Sequence, residues 1–256
     1  MPYLSVKEAV WLSVAGNKQQ KYEARHRLFS SVATRCGFRL YNKNLAWLHD
    51  EEFKQIWRDF PYGNRNYIHE RKFNFYYLAK SIRNIPGDMA ECGVYHGGSS
   101  HLMLAATQDT DKHLYGFDSF EGLSEPSDID VAPKEETFKW NKHDMTMPED
   151  MAKAHLKMHD GRFTLYKGWI PERFDQVQDK QFSLVHIDVD LHEPTLKSLE
   201  FFYPRMSTGG IIVCDDYGSE ASPGARKAMD DFFAEKPEGS VVHLTTGQGM
   251  VVIHPK

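Results

Sequence analysis

Only three cysteines occur in the chain, Cys36, Cys92 and Cys214, and their spacing matches neither a disulfide framework nor a zinc site. Cys92 and Cys214 fall inside apolar runs and are expected as small core residues, which makes a reducing cytoplasm the simplest setting. No apolar run approaches the ~20 residues that a membrane-spanning helix needs, and the N-terminus lacks the basic-then-apolar pattern of a secretion signal. Positive charge is also short. The net charge of −5 argues against a nucleic-acid partner, because phosphate binding needs a basic face. Internal repeats and low-complexity tracts are absent. So is Gly-x-Gly-x-x-Gly, which weighs against a nicotinamide dehydrogenase.

What is present is 256 residues with two rhythms. Up to residue 85 the apolar residues recur three and four apart, in "KYEARHRLFSSVATRCG", "DEEFKQIWRDF" and "HERKFNFYYLAKSIRNIPG", which predicts helices. "FPYGNRNYIHE" breaks them with turn residues. This region is rich in aromatic and basic side chains, and a homodimer interface is expected on it. From 86 to 256 strands and helices alternate, which predicts a mostly parallel sheet covered on both faces. "SVVHLTT" and "GMVVIHP", separated by a turn containing Gly-Gln-Gly, read as an antiparallel edge hairpin. Residues 121–148 read as a long acidic loop of the kind that serves as a lid or is disordered.

In open parallel sheets ligands bind beyond the carboxyl ends of the strands, and here four strands end in acid. Glu91 precedes "CGVYHGGSS", where Gly97, Gly98, Ser99 and Ser100 turn into a helix whose free N–H groups suit an anion. A carboxylate beside this turn suits an ammonium or hydroxyl better than a pyrophosphate. Asp118, one strand later, is placed to bond a ribose diol. Together they describe a nucleoside pocket without a phosphate cradle, and S-adenosylmethionine meets those demands. In "HIDVDLHEPT", His186, Asp188 and Asp190 share a face by period-two alternation, and "CDDYG" adds Asp215 and Asp216. Converging carboxylates repel each other and call for a cation. Oxygen ligation selects Mg²⁺, Ca²⁺ or Mn²⁺ over zinc. His186 reads as a hydrogen-bonded core group rather than a ligand. His192 either lines the cleft or packs, and Trp169 of "KGWIP" either covers an adenine or belongs to the core.

With those residues placed, the chain resembles the macrocin O-methyltransferase (TylF-like) family, which includes mycinamicin and novobiocin sugar O-methyltransferases. The resemblance rests on "PGDMAECGVYHGGSS", "GFDSFEGL", "YKGWIPE", "DVDLHEPTLKSLEFFYPRMSTGGIIVCDDYG" and "ARKAMDDF", in order over about residues 70–256. It implies a class I S-adenosylmethionine methyltransferase fold, Rossmann-like, with a seven-stranded sheet and an N-terminal helical lid over residues 1–85. It also implies Mg²⁺ and methylation of a sugar hydroxyl on a glycosylated small-molecule acceptor. Asp188, Asp215 and Asp216 would hold the metal. Glu91, Gly93, Val94, Tyr95, Gly97, Ser99, Ser100, Asp118, Ser119, Gly168, Trp169 and Asp188 would hold the cofactor, with Asp188 as base and His192 as a second catalytic group. The family usually has tyrosine in place of His192 and arginine in place of His96, and residues 1–69 match poorly. Three competing readings are a metal-dependent catechol-type methyltransferase, a hydroxylase of the cephalosporin type, and a non-catalytic nucleoside-binding module.

Overall fold

The computed structural model describes residues 5–37, 46–61, 69–131 and 139–255; residues 62–68 of the expected Pro/Gly turn segment and the middle of the acidic loop, 132–138, lie outside the described residues. The chain parts into two compact units, Met1–Asp50 and Glu51–Lys256. That boundary lies upstream of the change in rhythm at 85/86.

The first unit carries α1 (Val6–Ala15), α2 (Lys18–Arg35) and α3 (Ala46–His49). Both longer helices open with reciprocal caps. The Ser5 hydroxyl accepts the Glu8 N–H while Glu8 reaches back to Ser5, and Asn17 and Gln20 repeat the arrangement. In α1 and α2 only Ala9 and Ala24 are buried, whereas Val6, Val10, Trp11, Val14, Phe29 and Val32 are exposed.

The second unit opens with α4 (Glu51–Asp59) and α5 (His69–Ser81) and continues as alternating strands and helices. The strands are β1 (Asp88–Cys92), β2 (Leu114–Asp118), β3 (Phe163–Lys167), β4 (Phe182–Ile187), β5 (Met206–Cys214), β6 (Val242–His243) and β7 (Gly249–Val252). They form one sheet in the order β3-β2-β1-β4-β5-β7-β6. Pairing is parallel from β3 to β5 and antiparallel at β5–β7 and β7–β6, as the alternation and the terminal hairpin predict. Every residue of β4 is buried, the polar Ser183 and His186 included, as in a parallel strand covered on both faces. Cys92 and Cys214 are core residues, as expected. Among the described residues no helix is long and apolar enough to cross a membrane.

Helices α6 (Gly98–Ala106), α7 (Glu149–Leu156), α8 (His192–Phe202) and α9 (Pro223–Phe233) complete the unit. α4 and α5 pack on α6. α4 buries Phe53 and Trp57 on one face, and His101 of α6 bonds the Ile56 carbonyl at 2.8 Å. His159 stands 3.0 Å from the other ring nitrogen of His101. Burial, then the neighbouring His101 and Arg162, lower His159 to about 4, and burial also lowers His101. Both rings therefore bind protons more weakly folded than unfolded. Their contribution to stability is complete above about pH 7 and is lost as pH falls from 6.5 toward 4. Thermal unfolding should show that loss, and His159→Gln should reduce the drop in melting temperature between pH 7 and pH 5.

Candidate active site

Strand order reverses between β1 and β4, and their carboxyl ends are joined there. The Asp188 N–H donates to the Cys92 carbonyl at 2.8 Å. Gly93, at φ 85°, brings its backbone so close that a Cβ would stand 1.8 Å from the Asp188 carbonyl oxygen. Gly97, also left-handed at φ 85°, caps α6. Glycine is demanded at both positions by geometry.

A cavity of about 250 Å³ opens beyond this junction. Of the residues expected at the cofactor, Gly93, Tyr95, Asp118, Ser119, Trp169 and Asp188 line it. Trp169 is half-buried against the cavity and not a core residue. Gly168 is adjacent, its N–H donating to the Asp118 carbonyl at 3.0 Å. The Asp118 carboxylate accepts the Val94 and Tyr95 N–H groups, each at 2.8 Å, and the Phe120 N–H at 2.6 Å. It shapes the turn as well as facing the cavity. Asp118→Ala should therefore weaken S-adenosylhomocysteine binding by about tenfold or more, since several hydrogen bonds of ~1 kcal/mol are lost together; titration calorimetry measures it. The acidic loop closes the cavity with Leu123, Ser124 and Met145. Its ends are pinned by Leu123 N–H to Asp144 carbonyl at 2.9 Å and His143 N–H to Leu123 carbonyl at 2.9 Å.

The remaining residues expected at the cofactor sit behind the turn. Val94 packs with Phe120 and Ala152. Ser100 donates to Glu91, and the Ser99 hydroxyl accepts from Lys72 at 2.8 Å. Glu91 is 1 % exposed and absent from the cavity wall. Register explains this: Glu91 pairs with His186 across β1–β4, and its carboxylate meets His186 Nδ1 at 3.0 Å. Its charge serves the imidazole, and the structure does not bring it to a ligand ammonium.

His186 links Glu91 to the acidic pocket. Its Nε2 lies 3.4 Å from Asp215 Oδ1, and Phe75 of α5 covers the ring at 4.3 Å. Burial opposes its charge, but hydrogen bonds to Asp215 and Glu91 prevail and raise it to about 9. Donor atoms of His186, Asp188 and Asp215 lie within 4.8 Å of one another. Asp216 stands outside this trio, accepting the Asp190 N–H at 3.0 Å. Desolvation, then the charges of Asp215 and Asp216, push Asp188 well above the usual carboxyl range. Asp216 is pushed up by desolvation and by Asp190 and Asp215. Desolvation also works against Asp215, yet Lys72, His186 and Arg71 hold it well below that range. Carboxyls forced toward neutrality by one another are what a bound cation relieves, and a mainly oxygen donor set fits a hard divalent ion.

Asp190, expected in the acidic cluster but not among the cofactor or metal residues, belongs to the site. It lines the cavity, has φ 58°, and accepts the Ser222 hydroxyl at 3.1 Å. Trp140 Nε1 donates to that same hydroxyl at 3.2 Å. Desolvation and the Asp188 charge raise Asp190 to about 7. Period-two spacing signalled this residue. His192 does not line the cavity: its N–H donates to Asp130 at 2.7 Å, and its Cβ would lie 2.9 Å from any Cβ placed on Gly224 of α9. Arg71 and Gln248 also reach Asp215, and Lys72 bonds Ser99; no local motif announced them.

Comparison with known proteins agrees with this geometry. Residues 3–240 match the family described as Macrocin-O-methyltransferase (TylF). The chain is 28% identical over 193 residues to 8-demethyl-8-(2,3-dimethoxy-alpha-L-rhamnosyl)-tetracenomycin-C 4'-O-methyltransferase of Streptomyces olivaceus, covering 72% of this chain and 73% of that one. It is 25% identical over 195 residues to demethyldecarbamoylnovobiocin O-methyltransferase of Streptomyces niveus, covering 72% and 74%. Among solved structures, the calicheamicin methyltransferase CalS11 superposes with a TM-score of 0.64 at 19% identity, over 93% of this chain and 94% of that one. The O-methyltransferase NovP superposes at 0.58 and 22% identity, over 73% and 81%. The fold is that of the class I S-adenosylmethionine methyltransferases, and the chain belongs to the macrocin-O-methyltransferase (TylF) family of S-adenosylmethionine-dependent O-methyltransferases.

Proposed function

We propose that the protein methylates a hydroxyl of a sugar on a glycosylated natural product, with S-adenosylmethionine as donor and a divalent ion, Mg²⁺ first, at the acidic pocket. The observation that carries this reading is that Asp188 belongs to both places. It lines the cavity beside the glycine turn and supplies a donor atom to the trio with His186 and Asp215. The relatives' names support the acceptor class: one contains a rhamnosyl group and another is mycinamicin III 3''-O-methyltransferase of Micromonospora griseorubida.

A sugar hydroxyl is a weak nucleophile at neutral pH, and a divalent ion supplies the Lewis acidity that makes it easier to deprotonate. Asp188 and Asp215, with Asp216 beside them, would hold the ion. Asp118, Ser119, Tyr95 and Trp169 bind and orient the donor. Asp190 accepts the proton, because it faces the cavity, stands outside the donor trio and is aimed by Ser222. This moves the base from Asp188, where the family resemblance puts it, by two residues. The loop carrying Leu123 and Met145 excludes water. Holding the reactants in line supplies much of the rate, ~7–11 kcal/mol in well-oriented reactions.

The test is incubation with methyl-labelled S-adenosylmethionine, Mg²⁺ and a panel of glycosides and catechols, with and without chelator. Label is expected in a glycoside, lost with chelator and restored by Mg²⁺. Label in catechols alone, or transfer indifferent to chelator, would overturn the proposal.

A further inference from the structure

The first turn of α5 brings two basic residues to the acidic pocket. Arg71 Nη2 lies 2.8 Å from Asp215 Oδ2 and also donates to the Asp215 main-chain carbonyl. The other carboxylate oxygen, Oδ1, already accepts Gln248 Nε2 at 2.7 Å. Lys72, only 7 % exposed, places its ammonium on Ser99 at 2.8 Å, behind the glycine turn. Asp188, by contrast, has no ion-pair partner among the described residues. Both oxygens of Asp215 are therefore committed to protein donors: Arg71, with its full positive charge, on Oδ2, and Gln248 together with His186 Nε2 at 3.4 Å on Oδ1.

We infer that Arg71 is a resident counter-ion of the acidic pocket, shares Asp215 with the divalent ion, and so holds the pocket's affinity for that ion down. The inference rests on the divalent-ion reading above. Two cations on one carboxylate repel each other, and at the effective dielectric of ~20 found in protein sites the repulsion across ~5 Å exceeds what a tenfold change in affinity requires. Lys72 adds a second positive charge acting on Asp215. If instead Arg71 only orients Asp215, its removal leaves a floppy ligand and a weaker site. The two roles give opposite signs.

The experiment is Mn²⁺ binding to the full chain, read by electron paramagnetic resonance and calorimetry without acceptor. Arg71→Gln is expected to tighten Mn²⁺ by about tenfold or more, and Arg71→Lys, which keeps the charge, to stay within about threefold of wild type. Arg71→Met, which fills the same space with an apolar chain, serves as a second neutral variant should the glutamine variant not fold. Weaker or unchanged binding in the neutral variants overturns the counter-ion role while leaving the divalent site standing. Absence of Mn²⁺ binding in wild type overturns both.

Discussion

Replacing Asp188 by Asn should lower turnover by at least about 10³-fold while S-adenosylhomocysteine affinity stays within about threefold. The carboxylate bridges two functions, so its loss removes a donor atom from the trio with His186 and Asp215, whereas the amide preserves shape on the cavity wall. Mn²⁺ binding should disappear with activity. Asp190→Asn is the companion measurement. It should depress turnover comparably but leave Mn²⁺ binding in place, because Asp190 lies outside the trio and is held by Ser222. Near-normal rates in Asp188→Asn would remove the metal from the mechanism. Lost metal binding in Asp190→Asn would merge two roles assigned to different carboxylates.

A single methyl group at Gly93 should be the most damaging small change in the sheet. The left-handed backbone at φ 85° costs an L-residue about 1–2 kcal/mol. The larger penalty is the approach of 1.8 Å to the Asp188 carbonyl oxygen, a backbone atom that no rotamer change can move. Relief requires β1 and β4 to separate at the point where donor and acidic pocket meet. Gly93→Ala is expected to cost at least about 3 kcal/mol, or about 6–12 °C in melting temperature, and to abolish S-adenosylhomocysteine binding in the fraction that folds. Gly161→Ala is the control. It has a similar φ of 84° with nothing within 4 Å of the added carbon, so only the conformational cost of ~1 kcal/mol applies. Equal losses in both variants would show that the carbonyl contact carries no weight.

The sequence by itself determined the alternation of strands and helices, the terminal hairpin, the glycine turn and the acids at four strand tips. These are local properties: hydrophobic period, turn chemistry, and residue type at the end of an apolar run. It did not show which way those acids point. Glu91 and Asp118 look alike along the chain, yet pairing of Glu91 with His186 turns one carboxylate inward, while the other serves the turn from the cavity side. Alternation put Asp190 on the acidic face, but not the left-handed backbone at φ 58° with which it reaches the cavity. Arg71 and Asp215 are 144 residues apart, as invisible to any local window as the contacts of Lys72 and Gln248. Only tertiary packing decided the charge balance around the acids, because a helix's rotation and the register between strands depend on the whole core that they bury.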